Sequence, residues 1–203
     1  MIKTIEFCGK DGILCKSKFY SCSDHLNRQE KFIFNRGVNL LIGEIDDGNF
    51  AVSYLLSMYN KCVRKRSFNY PLVLTIDGQQ TDLEKFTKRC CYLDEGEYPL
   101  FKSKRKTVRQ LIKKGLKKSK IDKTPDEVIE LFRLTPERID RPICSVGNER
   151  FRAMAAVGYA YGKEVFCFPW LSKRMFDYYT NNILWLLDIF EELKVIAIVP
   201  VGK

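Results

Sequence analysis

Residues 38–60 read VNLLIGEIDDGNFAVSYLLSMYN, and this stretch says most about the fold. An apolar run leads into a loop that Gly43 opens and Gly48 closes, and the apolar spacing of a helix follows. A strand, a loop and a helix in this order, with two glycines at the G-x-x-x-x-G spacing, are typical of a phosphate-binding P-loop. The simpler alternative is an ordinary strand-to-helix turn with Asp46 or Asp47 as the helix N-cap.

The side chains that hold a nucleotide in a P-loop are replaced here. The two residues after the second glycine are normally a Lys that reaches the phosphates and a Ser or Thr that holds Mg²⁺. Asn49 and Phe50 stand at these positions. A loop carboxylate about 4 Å from a phosphate costs roughly 4 kcal/mol at an effective dielectric near 20. We therefore expect weak ATP binding, or none, by this degenerate phosphate loop. It comprises Gly43, Glu44, Ile45, Asp46, Asp47, Gly48, Asn49 and Phe50.

Composition and cysteine usage argue against a membrane-spanning, a secreted and a zinc-binding protein. The 203-residue chain suits one domain, and its 45% hydrophobic content suffices for a packed core. No apolar run is long enough to span a membrane and no signal peptide is visible, so we expect a cytoplasmic protein with reduced cysteines. Cys8, Cys15, Cys22 and His25 match no zinc-binding spacing, and no metal site is predicted.

The net charge of +10 is concentrated in residues 102–123. This stretch holds eleven Lys or Arg and one acidic residue, which leaves 24 basic and 24 acidic residues elsewhere. Apolar residues at helical spacing predict a basic helix over 107–118. Its exposed lysines are expected to be Lys113, Lys114, Lys117 and Lys118. Such a helix can face nucleic acid, an anionic membrane surface or an acidic partner, or form an ordinary solvated surface.

Strands and helices alternate along the chain, which predicts an α/β fold. Alternating apolar and polar residues predict antiparallel strands in the N-terminal third, and PLVLTIDG at 71–78 predicts a strand that ends in a turn. Further helices are predicted over 81–90, 124–134, 148–161 and 175–193. A connector is predicted between the helices over 124–134 and 148–161. Further strands are predicted at the start of 90–101 and over 164–168 and 195–199.

The order of these elements resembles the ATPase domain of ATP-binding cassette (ABC) transporters over nearly the whole chain. CSVGNERFRAMAA at 144–156 resembles the LSGGQ signature of that family and the helix after it. The resemblance implies a P-loop NTPase-like α/β core with N-terminal antiparallel strands, made of residues 1–94 and 144–203. It implies a small helical subdomain over residues 95–143.

The resemblance also assigns positions to the parts of the family's nucleotide site. Glu95 stands at the glutamine-loop position, and Tyr20 lies where the family stacks an aromatic ring on adenine. The signature-like residues are Ser145, Val146, Gly147 and Asn148. Val146 replaces a glycine there and is expected to crowd a nucleotide held by a partner.

The catalytic groups of the family are missing. The Walker B strand should end in an Asp and a Glu, but EVFCF at 164–168 runs into Pro169 and Trp170. A switch histidine should follow the last strand, where Val201 stands. Because phosphoryl transfer depends on such groups, we predict no catalytic residue, no hydrolysis, and no cofactor beyond weakly bound ATP and Mg²⁺.

The resemblance therefore favours a catalytically inactive ABC subunit, a pseudo-ATPase. It would act as a scaffold or regulator beside an active ABC ATPase subunit or a membrane permease, as a homo- or heterodimer, peripheral at the inner face of the membrane. One alternative is a divergent but working ATPase. Another is a nucleic-acid-binding module that uses residues 102–123, although this stretch lacks the interleaved aromatic residues that stack on bases.

Overall fold

Two sheets of different type carry the helices of this chain. The computed structural model describes residues 1–9, 15–16, 21–22, 31–44, 49–64, 72–94, 96, 98–101, 105–119 and 121–203. Within these residues, one four-stranded sheet is antiparallel and the other four-stranded sheet is parallel, as expected of an α/β core with N-terminal antiparallel strands.

The antiparallel sheet confirms the prediction for the N-terminal third. Its strands lie in the order β4 (Lys31–Asn35), β1 (Thr4–Gly9), β6 (Leu72–Ile76) and β7 (Gln79–Gln80). Alternate residues point into the core, as a half-buried sheet requires; they include Ile5, Phe7, Phe34, Leu74 and Ile76. A short hairpin pairs β2 (Cys15–Lys16) with β3 (Ser21–Cys22).

The parallel sheet forms the centre of the molecule. Its strands lie in the order β5 (Gly37–Ile42), β10 (Ile196–Val201), β9 (Val165–Cys167) and β8 (Cys90–Tyr92). β10 is buried from Ile196 to Pro200, because it lies between two neighbouring strands and below the helices.

The helix after the predicted phosphate loop is α1 (Asn49–Arg64). Every residue over 51–58 is buried, because this helix packs against β8, β9 and β10 and against α2 (Leu83–Thr87). Its central position explains why its sequence is apolar on nearly all sides.

Between β8 and β9 the described chain is helical, with α3 (Val108–Ser119), α4 (Pro125–Leu131), α5 (Pro136–Ile139) and α6 (Arg150–Ala160). Helix α3 packs closely on α6 at Gly115, where an added Cβ would lie 2.8 Å from the Ala160 carbonyl carbon. Thr124 and Glu127 form a reciprocal capping box at the start of α4. The proposed boundaries of a separate helical subdomain stay a prediction.

Two element predictions need correction. The single helix expected over 175–193 is divided into α7 (Lys173–Tyr178) and α8 (Thr180–Leu193). At the break, the Tyr179 ring packs edge-on against Phe151, with ring centroids 5.7 Å apart. The connector expected around residue 136 contains the short helix α5, which begins at Pro136. None of the helices in the described part of the chain is both long and apolar enough to cross a membrane.

Candidate functional site

The carboxyl ends of three parallel strands are joined at one edge of their sheet. After β5, the Gly43 N–H donates to the Val201 carbonyl (2.9 Å). After β10, the Gly202 N–H donates to the Leu171 carbonyl (2.8 Å), and the Leu171 N–H donates to the Pro200 carbonyl (3.0 Å). The segments that follow β5, β9 and β10 therefore lie side by side at the edge where open α/β sheets bind ligands.

Only the two ends of the predicted phosphate loop are described. At its start Gly43 is buried and Glu44 is exposed, and the main chain becomes helical at Asn49. The residues between them, Ile45, Asp46, Asp47 and Gly48, lie outside the described residues, as do the side chains of Asn49 and Phe50. The predicted strand and helix on either side of this segment are confirmed as β5 and α1, whereas the affinity of the segment for phosphate stays a prediction.

Trp170, at the expected Walker B position, lies between the start of the loop and the end of β10. Its indole N–H donates to the Gly43 carbonyl (3.3 Å). A Cβ added at Gly202 would lie only 2.9 Å from Trp170 Cζ2, which is next to the indole N–H on the same edge of the ring. The indole thus bridges the segments after β5 and β10, and Gly202 lacks a side chain where the ring passes.

Three residues at this edge, Pro169, Trp170 and Val201, have side chains without a metal ligand. An indole N–H only donates hydrogen bonds, Pro169 has no N–H, and Val201 is apolar. None of these three side chains offers Mg²⁺ an oxygen ligand, which is what this ion requires. The described part of the chain also contains no group of three or more His, Cys, Asp or Glu that could hold a metal ion.

Ser53 was not identified by sequence analysis, and it connects α1 to the same edge. Its buried hydroxyl donates to the Phe168 carbonyl at 2.6 Å. This bond satisfies a carbonyl directly after β9 and fixes the helix that follows the loop. The available signal was a polar residue within an otherwise apolar stretch of helix, since such a residue needs a hydrogen-bond partner.

The signature-like segment precedes α6 as two short 3-10 turns, over residues 143–145 and 147–149. Ser145 is exposed, and Gly147 adopts a left-handed φ of +64°. Arg138 holds the segment from outside, because its guanidinium donates to the Val146 carbonyl (2.8 Å) and to Asn148 Oδ1. The Val146 side chain is only 2% exposed and packs in the core. The expectation that it crowds a nucleotide is therefore wrong.

A cleft of about 210 Å³ opens beside the signature-like segment. Its lining includes Gly147, Asn148, Tyr178 and Tyr179. Arg150 also lines it, with its guanidinium carbon 4.9 Å from the Tyr179 ring centroid. Sequence analysis missed this cleft because α7 reaches the signature-like segment only in the folded chain. Two other predicted site residues, Tyr20 and Glu95, lie outside the described residues.

The basic helix is confirmed as α3. Its apolar side chains are buried, and Lys113, Lys114, Lys117 and Lys118 are exposed. Lys114 lies close to Lys106, and the side-chain hydrogen bond between them, followed by their like charge, lowers the pKa of the Lys114 ammonium. Arg109 is neutralised instead, because it pairs with Asp126 (2.7 Å) and Asp140 (3.2 Å). The unpaired positive charge of α3 is therefore carried by its lysines.

No protein-family model and no curated protein matches the sequence significantly, but solved structures match the fold. One is a chain from Pyrococcus furiosus that is named as an ABC transporter ATP-binding protein. It is 13% identical, with a TM-score of 0.58 over 98% of this chain and 90% of that chain. The chain therefore has a P-loop NTPase-like fold of the ABC ATPase type.

A second solved structure supports the same fold. It is a bacterial Atm1-family ABC exporter with ATP bound, 11% identical with a TM-score of 0.56. The match covers 100% of this chain but only 35% of the exporter. At these identities the similarity establishes the ABC-type fold, and the activity has to be argued from the residues.

Proposed function

We propose that the chain is a catalytically inactive subunit of the ABC ATPase type, which supports or regulates an active ABC ATPase subunit or a membrane transporter subunit. The observation that carries this proposal is the position of Trp170 between Gly43 and Gly202. Hydrolysis needs a metal ligand and a group that orients or deprotonates water. An indole N–H supplies neither, and the indole ring packs beside Gly43, where the predicted phosphate loop begins.

The signature-like segment supports a paired arrangement. The resemblance implies that such domains work face to face, with each signature completing the nucleotide site of its partner. Ser145 is exposed for such a contact, and the buried Val146 side chain does not obstruct it. We infer that this segment faces an active ABC ATPase subunit and contributes a hydroxyl and main-chain N–H groups to it.

The lysine face of α3 supports an electrostatic contact. Lys114 on α3 lies close to Lys106, which precedes the helix, and an anionic surface would relieve their repulsion. We propose that this face docks on acidic residues of a membrane subunit or on anionic lipid headgroups. The protein would then be cytoplasmic and peripheral at the membrane.

Capture of the tagged chain from its native cells, after mild crosslinking, tests the scaffold role. We expect a protein with intact Walker motifs, or a membrane-spanning transporter subunit, to be recovered in stoichiometric amount. The α3 variant Lys113→Glu, Lys114→Glu, Lys117→Glu, Lys118→Glu serves as the matched control, and recovery of the partner should fall with it. Recovery of the chain alone, or equal recovery by both proteins, would contradict the proposal.

A further inference from the structure

A second cleft, which we call the arginine cleft, lies on the other side of the signature-like segment. It has a volume of about 890 Å³ and runs from the turn after α4 and from α5 to the first turns of α8. Its charged lining residues are Arg133, Arg138, Arg141, Arg152, Glu137 and Glu149. These four arginines and two glutamates leave an excess of two positive charges in the lining.

The base of the arginine cleft is a buried ion pair. Arg152 is 3% exposed and Glu149 is 4% exposed, with Arg152 Nη2 3.4 Å from Glu149 Oε1. Arg152 also donates to the Arg133 carbonyl, and Glu149 accepts the Thr135 N–H (3.2 Å). Glu149 therefore compensates Arg152 and no other arginine. Within the described residues, Arg152 Nε is buried without a hydrogen-bond acceptor, which is a costly state for a charged donor.

The rim of the cleft carries the uncompensated charge. Arg133 and Arg141 are exposed and Arg138 is half-buried. In the described part of the chain, none of these three forms an ion pair. The nearby Asp140 pairs instead with Arg109 (3.2 Å). The guanidinium groups of Arg133 and Arg141 are thus available against one remaining lining carboxylate, Glu137. Arg138 adds positive charge, although its guanidinium already donates to the Val146 carbonyl and to Asn148 Oδ1.

We propose that the arginine cleft binds an acidic peptide segment of a partner protein. Guanidinium groups bind carboxylates with two parallel hydrogen bonds, and the rim presents several of them along an open surface. The exposed rim cannot enclose a small molecule, since such ligands are usually buried over most of their surface. An extended peptide fits better, because the half-exposed Trp185 ring and the amides of Asn181 and Asn182 also line the cleft.

This inference does not depend on whether the chain hydrolyses ATP, and the test contains no nucleotide. The probe is a fluorescein-labelled octaglutamate peptide, with octaglutamine as the neutral control, and binding is followed by fluorescence anisotropy at low salt. The variant Arg133→Glu, Arg141→Glu reverses two rim charges. The matched control Lys85→Glu, Lys88→Glu makes the same charge change at two exposed lysines at the end of α2, to which no binding role is assigned.

We expect the rim variant to bind octaglutamate at least about tenfold more weakly, because two donors of charge-assisted hydrogen bonds are replaced by side chains that repel the peptide. The Lys85→Glu, Lys88→Glu variant should lose less than about threefold, since only screened long-range attraction changes. Arg141→Gln should cause a loss of octaglutamate affinity between those of the two double variants. An unchanged thermal unfolding temperature in every variant would show that the fold is intact. Equal losses in the two double variants, or no binding by the wild type, would overturn the proposal. The proposal would also be overturned if millimolar phosphate displaced the peptide and the same concentration of acetate did not, because the cleft would then be a phosphate site.

Discussion

At the scale of single residues, Trp170 packs at the position where the resemblance implies a Walker B carboxylate. The indole donates to the Gly43 carbonyl at 3.3 Å and approaches the place where a Gly202 side chain would lie. The segments after β5 and β10 are therefore both in contact with one ring. This arrangement stabilises the edge of the sheet, and it makes the pair Trp170 and Gly202 energetically coupled.

The coupling can be measured with a double-mutant cycle. Gly202→Ala should destabilise the wild type by about 1–3 kcal/mol, because overpacking forces the ring or the main chain to move. In a Trp170→Ala background the same change should cost much less, since the clashing atom is absent. Urea unfolding gives both values, and Tyr178→Ala, at a position that is 77% exposed, is a control with little expected effect. Equal costs in both backgrounds would show that the ring does not pack on Gly202.

Asp77 provides a pH-dependent contribution to stability at the turn after β6. Its carboxylate accepts the N–H groups of Lys3 (2.9 Å) and Thr4 (2.8 Å), and these hydrogen bonds, with Thr4 as the larger influence, lower the pKa of Asp77. A lowered folded-state pKa means that the stabilisation is present above the unfolded pKa, near 3.8, and is lost as the pH falls through the folded value.

The comparison of wild type with Asp77→Asn isolates this contribution. Asparagine tolerates the left-handed φ of +49° at this position but carries no charge. The wild type should unfold at a higher urea concentration than the variant at pH 7, and the two midpoints should converge as the pH falls below 3.8. A constant difference over that range would contradict the role of the carboxylate charge.

At the scale of elements, α3 shows what apolar spacing can predict. The stripe of Val108, Leu111, Ile112 and Leu116 is buried and the lysines face outward, because a 3.6-residue period fixes which positions share a face. The break between α7 and α8 was not predictable in this way. It occurs at Tyr179, whose ring packs on Phe151, and contacts between distant elements leave no local pattern in the sequence.

Charge reversal on α3 tests its proposed docking role with lipid. The four-lysine variant, Lys113→Glu, Lys114→Glu, Lys117→Glu and Lys118→Glu, should lose more than about a hundredfold in affinity for phosphatidylserine-containing vesicles, because each lysine near an anionic surface is worth about 1 kcal/mol. Sedimentation with vesicles at low salt measures this, and the Arg133→Glu, Arg141→Glu variant is the control on a different surface. Vesicle binding that survives the α3 change would mean that the lysines are only solvated.

At the scale of the whole molecule, the order of elements was predictable and the convergence of distant residues was not. The two glycines, the strands around them and the helices that follow are local signals, and they identified the ABC-type architecture. The arginine cleft combines residues between 133 and 152 with residues between 181 and 185, so only the fold brings them together. The burial of Val146 likewise depends on how the signature-like segment turns toward the core.

We propose that the chain keeps the ABC-type architecture without the catalytic groups of an ATPase. The most direct test is the release of phosphate from ATP by the purified chain with Mg²⁺, compared with the double variant Glu95→Ala, Ser145→Ala. If the chain is catalytically inactive, both proteins release phosphate at the same background rate. A turnover of about 1 s⁻¹ is at the low end for enzymes. If the wild type reached this rate and the double variant did not, the chain would be a working ATPase.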